Sequence, residues 1–280
     1  MLSYIAKQKI LRRVLYFFLV VSGLIYIFPF IWMVLSSFKY LEDVLAVPIH
    51  FFPPKWYWGV YYSAFNFPGY NFVRYFVNSS IVLVFAVLLC VALSTTSGYG
   101  FSKYKFRLNN VLFVMILSTM MIPFQAIIVP LFILVKKMGM QNSYQGMIVP
   151  ESLTAFGVFL MRQFFYSVPN DYIESARIDG ANEYRIFWMI SLPMARTAVL
   201  ALVIFHGQWV WNLLIWPLVL VSSPELRTLP QAIAQFTGVY FTPYPEQLAI
   251  SVVACLPLLI LFIFLSKHFV QGIATTGLKG

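Results

Sequence analysis

The chain has 280 residues, of which 61% are hydrophobic and only 10% are charged, and its mean hydropathy is +0.81. Because a soluble domain carries about 25% charged residues, a soluble globular protein and a disordered chain are both excluded, and an integral membrane protein in a lipid bilayer is predicted. A formal net charge of +10 would suggest nucleic acid as the partner of a soluble protein, but basic cytoplasmic loops explain it better here, and we expect no nucleic-acid binding.

Stretches without charge predict an all-α protein with six transmembrane helices in one domain, residues 1–280. A helix needs about 20 apolar residues to cross a bilayer. The predicted spans are residues 14–37, 77–99, 110–134, 145–165, 197–221 and 247–267. The basic start MLSYIAKQKILRR resembles a signal peptide, but the apolar run from Val14 to Phe38 exceeds the about 7–15 residues of a signal core. We expect it to be retained as the first helix.

The distribution of Lys and Arg predicts the orientation. With the N-terminus inside, thirteen of the 19 Lys and Arg residues lie in inner segments and six in outer ones. The outer six are Lys39, Lys55, Arg74, Lys136, Lys137 and Arg227. Both termini, and the loop between the fourth and fifth spans, are therefore predicted to be cytoplasmic.

The longest predicted outer loop contains FFPPKWYWGVYYSAF, which is rich in proline and aromatic residues. An interfacial aromatic belt is the favoured interpretation, and a surface that stacks against sugars is the alternative. Prolines within the third, fifth and sixth spans predict kinks, which suit a bundle around a pathway. These prolines are Pro123, Pro130, Pro217 and Pro257. The three histidines are scattered, so no metal site is predicted.

Polar side chains within the spans are candidates for a solute pathway. They are Gln125, Glu151, Gln208 and Asn212, together with the neighbouring Trp209 and Trp211. An aromatic ring beside an amide suits a sugar face and its hydroxyls. Hydrogen bonds between helices explain Gln208 and Asn212 equally well, and an interfacial carboxylate that reaches water explains Glu151 equally well. Both interpretations stay open.

Four of the nine acidic residues lie in one short cytoplasmic window: Asp171, Glu174, Asp179 and Glu183. Asn170 or Asp171 predicts a helix start, and Asp179-Gly180 predicts a stop, because Gly takes the left-handed conformation after a helix. A second helix is predicted from about Asn182 until Ser191-Leu192-Pro193 breaks it. A hairpin lying on lipid headgroups would be basic, whereas this window is electrically balanced. A hairpin over residues 170–193 that docks into a protein partner is therefore favoured.

The same window resembles the coupling motif in membrane subunits of binding-protein-dependent ABC importers. That motif is Glu-Ala-Ala, three residues, Gly, nine residues, then Ile-x-Leu-Pro. The chain keeps both spacings, with Ser175 in place of the first Ala, and the matching residues are Glu174, Ser175, Ala176, Gly180, Ile190, Leu192 and Pro193. The segments SGYGFSKYKFRLNN, FLMRQFFYSVPNDYIESARIDGA, GQWVWNLLIWPLVLV and FVQGIATTGLKG resemble the carbohydrate-uptake branch. Within that branch the chain is most similar to the smaller membrane subunit of maltose-type importers.

The resemblance implies a type I ABC importer-like bundle in a prokaryotic plasma membrane. It implies a heterodimer with a second permease subunit, two ATP-binding subunits that hold ATP and Mg, and an extracytoplasmic solute-binding protein for a sugar or oligosaccharide. The hairpin would couple ATP hydrolysis to alternating access, with Glu174 and Asp179 providing charge complementarity and Gly180 the tight corner. This chain would bind no cofactor or metal and would catalyse no reaction. In the maltose-type arrangement the solute can be held mainly by the other membrane subunit, so this chain would contain little of the solute site. The tail Gln271–Gly280 resembles tails that reach between the ATP-binding subunits.

Three alternatives are weaker. An importer of glycerol-3-phosphate or another polar solute would favour basic residues along the pathway, and no span clearly offers one. An intramembrane enzyme would need a paired acid, histidine or metal constellation, yet Glu151 is the only acid and His206 the only histidine within the predicted spans, and no pairing is evident. A secondary transporter usually has more spans or an internal repeat and has no use for the hairpin. The sequence has no Walker-type glycine loop, so it predicts no ATP hydrolysis by the chain itself.

Overall fold

The computed structural model describes residues 2–236 and 242–276, so the end of the C-terminal tail, residues 277–280, lies outside the described residues. Within the described ranges all regular structure is helical, which confirms the all-α prediction. The α-helices are α1 (Leu2–Ser36), α2 (Leu41–Val44), α3 (Gly59–Phe65), α4 (Phe72–Lys103), α5 (Asn109–Ser118), α6 (Phe124–Lys137), α7 (Tyr144–Ile148), α8 (Ala155–Ser167), α9 (Asn170–Ile178), α10 (Glu183–Ile186), α11 (Leu192–Met194), α12 (Arg196–Trp211), α13 (Ile215–Leu220), α14 (Leu229–Gln235) and α15 (Tyr244–Thr276). Three 3-10 turns lie at Thr119–Met121, Val149–Glu151 and Pro224–Leu226, and a π-turn lies at Phe187–Ser191.

Three helices of the described chain are long and apolar enough to cross a membrane. They are Lys9–Ser36 within α1, Phe72–Lys103, and Tyr244–Phe264 within α15. Two bent pairs also qualify if each pair is one span: Asn109–Met121 with Phe124–Lys137, bent by 106°, and Glu183–Met194 with Arg196–Trp211, bent by 74°. The predicted fourth span, residues 145–165, comprises α7, a 3-10 turn and α8. Six spans therefore remain a prediction.

The 106° bend lies at a proline. Pro Cδ disfavours the helical conformation of the preceding residue, and Ile122 accordingly has extended backbone, with φ −88° and ψ 117°. Pro123 is also extended, and α6 begins at Phe124. The kink predicted at Pro123 is thus a complete break in the helix, whereas Pro130 lies inside α6 without ending it.

The chain divides into two compact units, of which the first is Met1–Asn71 with Gln235–Ala254. Its α1 leaves most of its apolar side chains exposed, as expected of a helix that contacts lipid or another subunit. The loop that follows folds around aromatic rings, with Phe38 at 4.9 Å from Trp58 and 5.2 Å from Tyr61. Lys39 is fully buried there, and its Nζ donates to the His50 carbonyl at 2.6 Å. The rings of this loop therefore pack against one another around Phe38, while Trp58 itself stays exposed.

The second unit, Phe72–Ala234 with Cys255–Gly280, is built on α4, which packs along α8 and α12. The crossing of α4 and α8 is close: a Cβ added to Gly98 would lie 2.6 Å from Met161 Cβ and 2.8 Å from the Arg162 amide nitrogen. A Cβ added to Gly157 would collide with the Ser94 hydroxyl. Small residues thus fix the distance between these two helices, as they do in membrane bundles generally.

Candidate functional site

The predicted hairpin is present and has a well-defined corner. Helix α9 ends in a Schellman turn, in which the Ala181 amide donates to the Ala176 carbonyl at 2.9 Å and the Gly180 amide donates to the Arg177 carbonyl at 3.0 Å. Gly180 takes a φ of +82°, the left-handed conformation that the sequence predicts. The side chain of Asn182 then accepts the Arg185 amide at 2.8 Å and caps α10. Two standard helix-terminal motifs therefore hold the corner.

The start of the hairpin differs from the prediction. Pro169 occupies the N-cap position of α9, and no side chain caps the helix there. The side chain of Asn170 instead accepts a hydrogen bond from Lys103 Nζ at 2.9 Å. The extended backbone of Pro169 (φ −61°, ψ 136°) shifts the helix start by one residue, so Asn170 is already helical and its side chain is free to meet α4.

The end of the hairpin also differs. The chain does not stop at Pro193 but runs through the π-turn Phe187–Ser191 into α11, and bends before α12. Proline lacks an amide hydrogen, and its ring displaces the carbonyl four residues earlier, here that of Met189. A widened π-turn accommodates such a displacement, so the proline loosens the helix and the bend follows a few residues later.

A polar brace ties the hairpin to the loop after α4. Glu183 accepts from Arg177 Nε and from the Tyr104 hydroxyl, both at 2.6 Å. Lys103 Nζ donates to the Val168 carbonyl at 2.6 Å. The Arg177 guanidinium and the Tyr104 hydroxyl hold the pKa of Glu183 below its usual range. Burial and the hydrogen bond to Glu183 raise the pKa of Tyr104 to about 12.

Sequence reasoning did not find this brace. It identified the segment SGYGFSKYKFRLNN only as a family resemblance, and it named Glu174 and Asp179, not Glu183, as the acids that matter. The signal available was weak: a tyrosine and a lysine next to each other in a loop that the charge count placed on the same side of the membrane as the hairpin.

The apolar side of the hairpin belongs to the core of the second unit. Ile173, Ile186 and Phe187 are buried at 3%, 0% and 7% exposure. They pack with Tyr99 of α4 and Phe165 of α8, and the ring centroids of Tyr99 and Phe187 lie 5.1 Å apart. Full burial of each such side chain contributes about 1.5–3 kcal/mol, so the base of the hairpin cannot separate from α4 and α8 at low cost.

The predicted coupling residues lie mostly on the outer surface of the hairpin. Glu174, Ser175, Asp179, Gly180 and Pro193 are exposed, whereas Ala176, Ile190 and Leu192 are partly buried. Large apolar side chains are exposed on the same segment, with Ile178 at 86% and Tyr184 at 72%. In the described chain, the carboxylates of Glu174 and Asp179 take part in no ion pair. The exposed surface thus combines unpaired negative charge with apolar area.

A second site is a cavity of about 580 Å³ in the second unit. Four of the predicted pathway residues line it: Gln125, Gln208, Trp209 and Asn212. The remaining lining residues are Phe124, Phe205, Leu213, Leu214 and Ile215. The lining comes from the start of α6, the last two turns of α12 and the break between α12 and α13. Broken helices at membrane depth are tolerated where they line a cavity or are buried in protein.

The other two predicted pathway residues lie outside the lining. Glu151 is buried at 6% exposure, and its Oε2 accepts the indole N–H of Trp209 at 2.9 Å. Trp211 is also buried and meets Phe76 edge to face at 5.5 Å. His206, one turn before Trp209, is buried as well. Glu151 therefore contacts the cavity lining through Trp209, whereas Trp211 is not part of the lining.

Comparison with known proteins identifies the class. Residues 90–275 match the family described as binding-protein-dependent transport system inner membrane component, a range that contains the hairpin and the cavity. The chain belongs to this family. It is a membrane permease subunit of a transport system and not an enzyme, as the sequence predicted.

Full-length relatives make the resemblance more specific. The chain is 32% identical to the arabinooligosaccharides transport system permease protein AraQ of Bacillus subtilis, over 100% of both chains. It is 27% identical to the lactose transport system permease protein LacG of Rhizobium radiobacter, over 95% of this chain and 96% of that one. Its fold matches a chain in the crystal structure of a bacterial ABC transporter involved in the import of the acidic polysaccharide alginate. The TM-score is 0.81 at 23% sequence identity, and the match covers 93% of this chain and 97% of that one. The predicted resemblance to ABC permeases of carbohydrate uptake is confirmed.

Proposed function

We propose that the chain is one of two membrane-spanning subunits of an ATP-driven importer of a sugar or oligosaccharide. The arabinooligosaccharide and lactose permeases among its relatives favour a saccharide over glycerol-3-phosphate. Its partners would be a second permease subunit, two ATP-binding subunits that hold ATP and Mg, and an extracytoplasmic solute-binding protein. The surplus of Lys and Arg in the segments on the same side as the termini and the hairpin supports a cytoplasmic location for both.

One observation carries the coupling role: the hairpin is buried at its base and exposed at its tip. The base residues Ile186 and Phe187 are part of the core, while Glu174 and Asp179 project from a surface that also exposes Ile178. A solvated loop gains nothing from an exposed isoleucine, whereas a protein interface gains from apolar area with charge at its rim. The tip therefore suits a cleft in an ATP-binding subunit that supplies basic residues.

The brace explains how movement of the tip would reach the bundle. Lys103 holds the start of the hairpin through the Val168 carbonyl, and Tyr104 holds the start of α10 through Glu183. Lys103 is the last residue of α4 and Tyr104 follows it directly, and α4 is the helix along which α8 and α12 pack. A displacement of the hairpin would be transmitted to α4 as a rigid-body shift, because packed cores resist continuous deformation.

The first test is purification of the complex from its native membrane in mild detergent through a tag on this chain, followed by mass spectrometry. A second permease-like subunit and an ATP-binding subunit at comparable amounts are expected. Recovery of the chain alone, under conditions that preserve other membrane complexes, would contradict the proposal.

The second test addresses coupling. Glu174→Lys reverses the charge at the tip, and Glu42→Lys makes the same change at an exposed residue of the first unit. We expect Glu174→Lys to lower solute uptake more than ATP hydrolysis in proteoliposomes that hold the whole complex, because the hairpin no longer follows the ATP-binding subunit. Glu42→Lys should change neither. Normal uptake by Glu174→Lys at normal expression would refute the role of the tip.

A further inference from the structure

The cavity beside Trp209 has the chemistry of a saccharide site. Its lining combines two phenylalanines and an indole with three side-chain amides, and none of its lining residues is charged. Sugars offer apolar C–H faces that stack on aromatic rings and hydroxyls that both donate and accept hydrogen bonds. An amide also does both, so Gln125, Gln208 and Asn212 match hydroxyl groups without favouring a charged ligand.

The spacing on α12 directs these groups to one side of the helix. Phe205, Gln208, Trp209 and Asn212 stand at positions i, i+3, i+4 and i+7, which share one helical face. Asn212 Nδ2 donates to the Gln208 carbonyl at 2.8 Å, which fixes the amide and leaves its Oδ1 as an acceptor for a ligand. Gln125 approaches from the start of α6. Polar groups from two helices thus converge on one space.

Glu151 gives the indole a fixed orientation. The carboxyl is buried, and it holds the Trp209 Nε1 at 2.9 Å. The edge of the ring is therefore tied to the protein interior, while 53% of the residue stays exposed. With its N–H occupied, the indole can offer a ligand only its π face. A carboxyl group in either protonation state also adds no positive potential to the cavity, which disfavours an anionic ligand.

From this geometry we propose that the cavity is a contact site for neutral saccharides, in which Trp209 stacks on a sugar ring and Glu151 acts as its positioning residue. The site rests on the proposed function as an importer subunit and adds the chemical class of the solute. The proposal also assigns solute contact to this chain. The sequence alone did not decide whether this chain or the other membrane subunit contacts the solute.

The test uses the complete complex in proteoliposomes with its solute-binding protein, and three labelled probes: the neutral arabinotriose and lactose, and the acidic trigalacturonate. We expect wild type to import a neutral probe in preference to trigalacturonate. Trp209→Ala should raise the KM for that neutral probe by roughly threefold to tenfold, the range expected from one aromatic contact. The control Tyr26→Ala removes an exposed aromatic ring from α1 of the first unit and should change the KM by less than about twofold.

Two further variants separate positioning from general stability. Glu151→Gln keeps an oxygen that accepts the indole N–H and should retain the wild-type KM, whereas Glu151→Ala should raise the KM as Trp209→Ala does. Because Glu151 acts through Trp209, the double variant Glu151→Ala, Trp209→Ala should be no worse than Trp209→Ala alone. Gln208→Lys should raise trigalacturonate uptake relative to the neutral probe, while Gln145→Lys, at an exposed glutamine of α7, should not.

These experiments distinguish failure of the proposed importer function from failure of the proposed saccharide site. Import of none of the three probes by the wild-type complex would overturn saccharide import and this site together. Preferential import of trigalacturonate would leave saccharide import standing and overturn the neutral class. Import of a neutral probe with an unchanged KM in Trp209→Ala would leave the proposed function intact and overturn the site. Additive effects of Glu151→Ala and Trp209→Ala would overturn the positioning role of Glu151.

Discussion

The corner of the hairpin offers the sharpest test of coupling, through the change Gly180→Ala. No atom lies within 4 Å of the Cβ that would be added, so the substitution meets no neighbour, and its cost is confined to the backbone. Holding an L-residue at a φ of +82° costs about 1–2 kcal/mol. About 1.4 kcal/mol is a tenfold change in an equilibrium, here the one between the closed Schellman turn and an opened one.

Gly139 provides a matched control. Its φ is +72°, its surroundings are equally open, and it lies in the turn between α6 and α7. Gly139→Ala therefore carries the same backbone cost at a position outside the hairpin. Gly180→Asn provides a graded variant, because Asn adopts the left-handed conformation more readily than Ala.

The assay measures solute imported per ATP hydrolysed by the reconstituted complex, together with its melting temperature. Both Ala variants should lower the melting temperature by similar amounts, but only Gly180→Ala should lower the transport ratio, with Gly180→Asn between it and wild type. A wild-type ratio in Gly180→Ala, or an equal loss in Gly139→Ala, would refute a coupling role for this corner.

Two other predictions concern packing and pH. Gly98→Ala forces a methyl group against Met161 Cβ and the Arg162 backbone and should destabilise the complex by about 1–3 kcal/mol. Gly100→Ala on the same helix is the control and should not destabilise it, because no atom lies within 4 Å of the added Cβ. Equal melting temperatures for the two variants would contradict the close crossing of α4 and α8. Because the folded pKa of Glu183 is lowered, its stabilising contribution is present above about pH 4.5 and is lost as the pH falls through the folded value. The protection of hairpin amides against hydrogen exchange should therefore differ between wild type and Glu183→Gln by a constant factor, at most about fivefold for so exposed a pair, from about pH 6 to pH 8. A factor that changes within this interval would show that another group controls the brace.

The hairpin was predictable because its signals are local. The Schellman turn needs a glycine in the left-handed conformation, and the next helix needs a capping side chain, and both Gly180 and Asn182 can be read within a few residues. The brace was not predictable in the same way. Tyr104 and Glu183 are separated by 79 positions, and no periodicity in either segment says that they meet. The start of α9 was misplaced by one residue because Pro169 competes with Asn170 for the cap position.

The cavity was predictable only in part from the sequence. The sequence marks Pro217 as a kink in the fifth span, but the helix ends earlier, at Trp211, and Pro217 lies in the first turn of α13. A proline fits the first turn of a helix, where its missing amide hydrogen costs little, and it prevents α12 from continuing through it. The break therefore falls several residues before the proline. Pro217 thus predicts an interruption but not its position, and Pro130 and Pro257, which lie inside α6 and α15, show that a proline does not always interrupt a helix.

Helical spacing distinguishes the residues that line the cavity from their neighbours on the same helix. Trp209 and Trp211 were both candidates for the pathway, yet residues two apart on a helix point to different faces. Phe205, Gln208, Trp209 and Asn212 share a face, and that face ends at the interruption caused by Pro217. Gln125 likewise follows Pro123 by two positions. Polar residues that share one helical face and lie beside a proline-induced break therefore indicate a cavity, because the break frees backbone groups that a lipid-facing surface would leave unsatisfied. By this criterion the sequence alone favours Trp209 over Trp211.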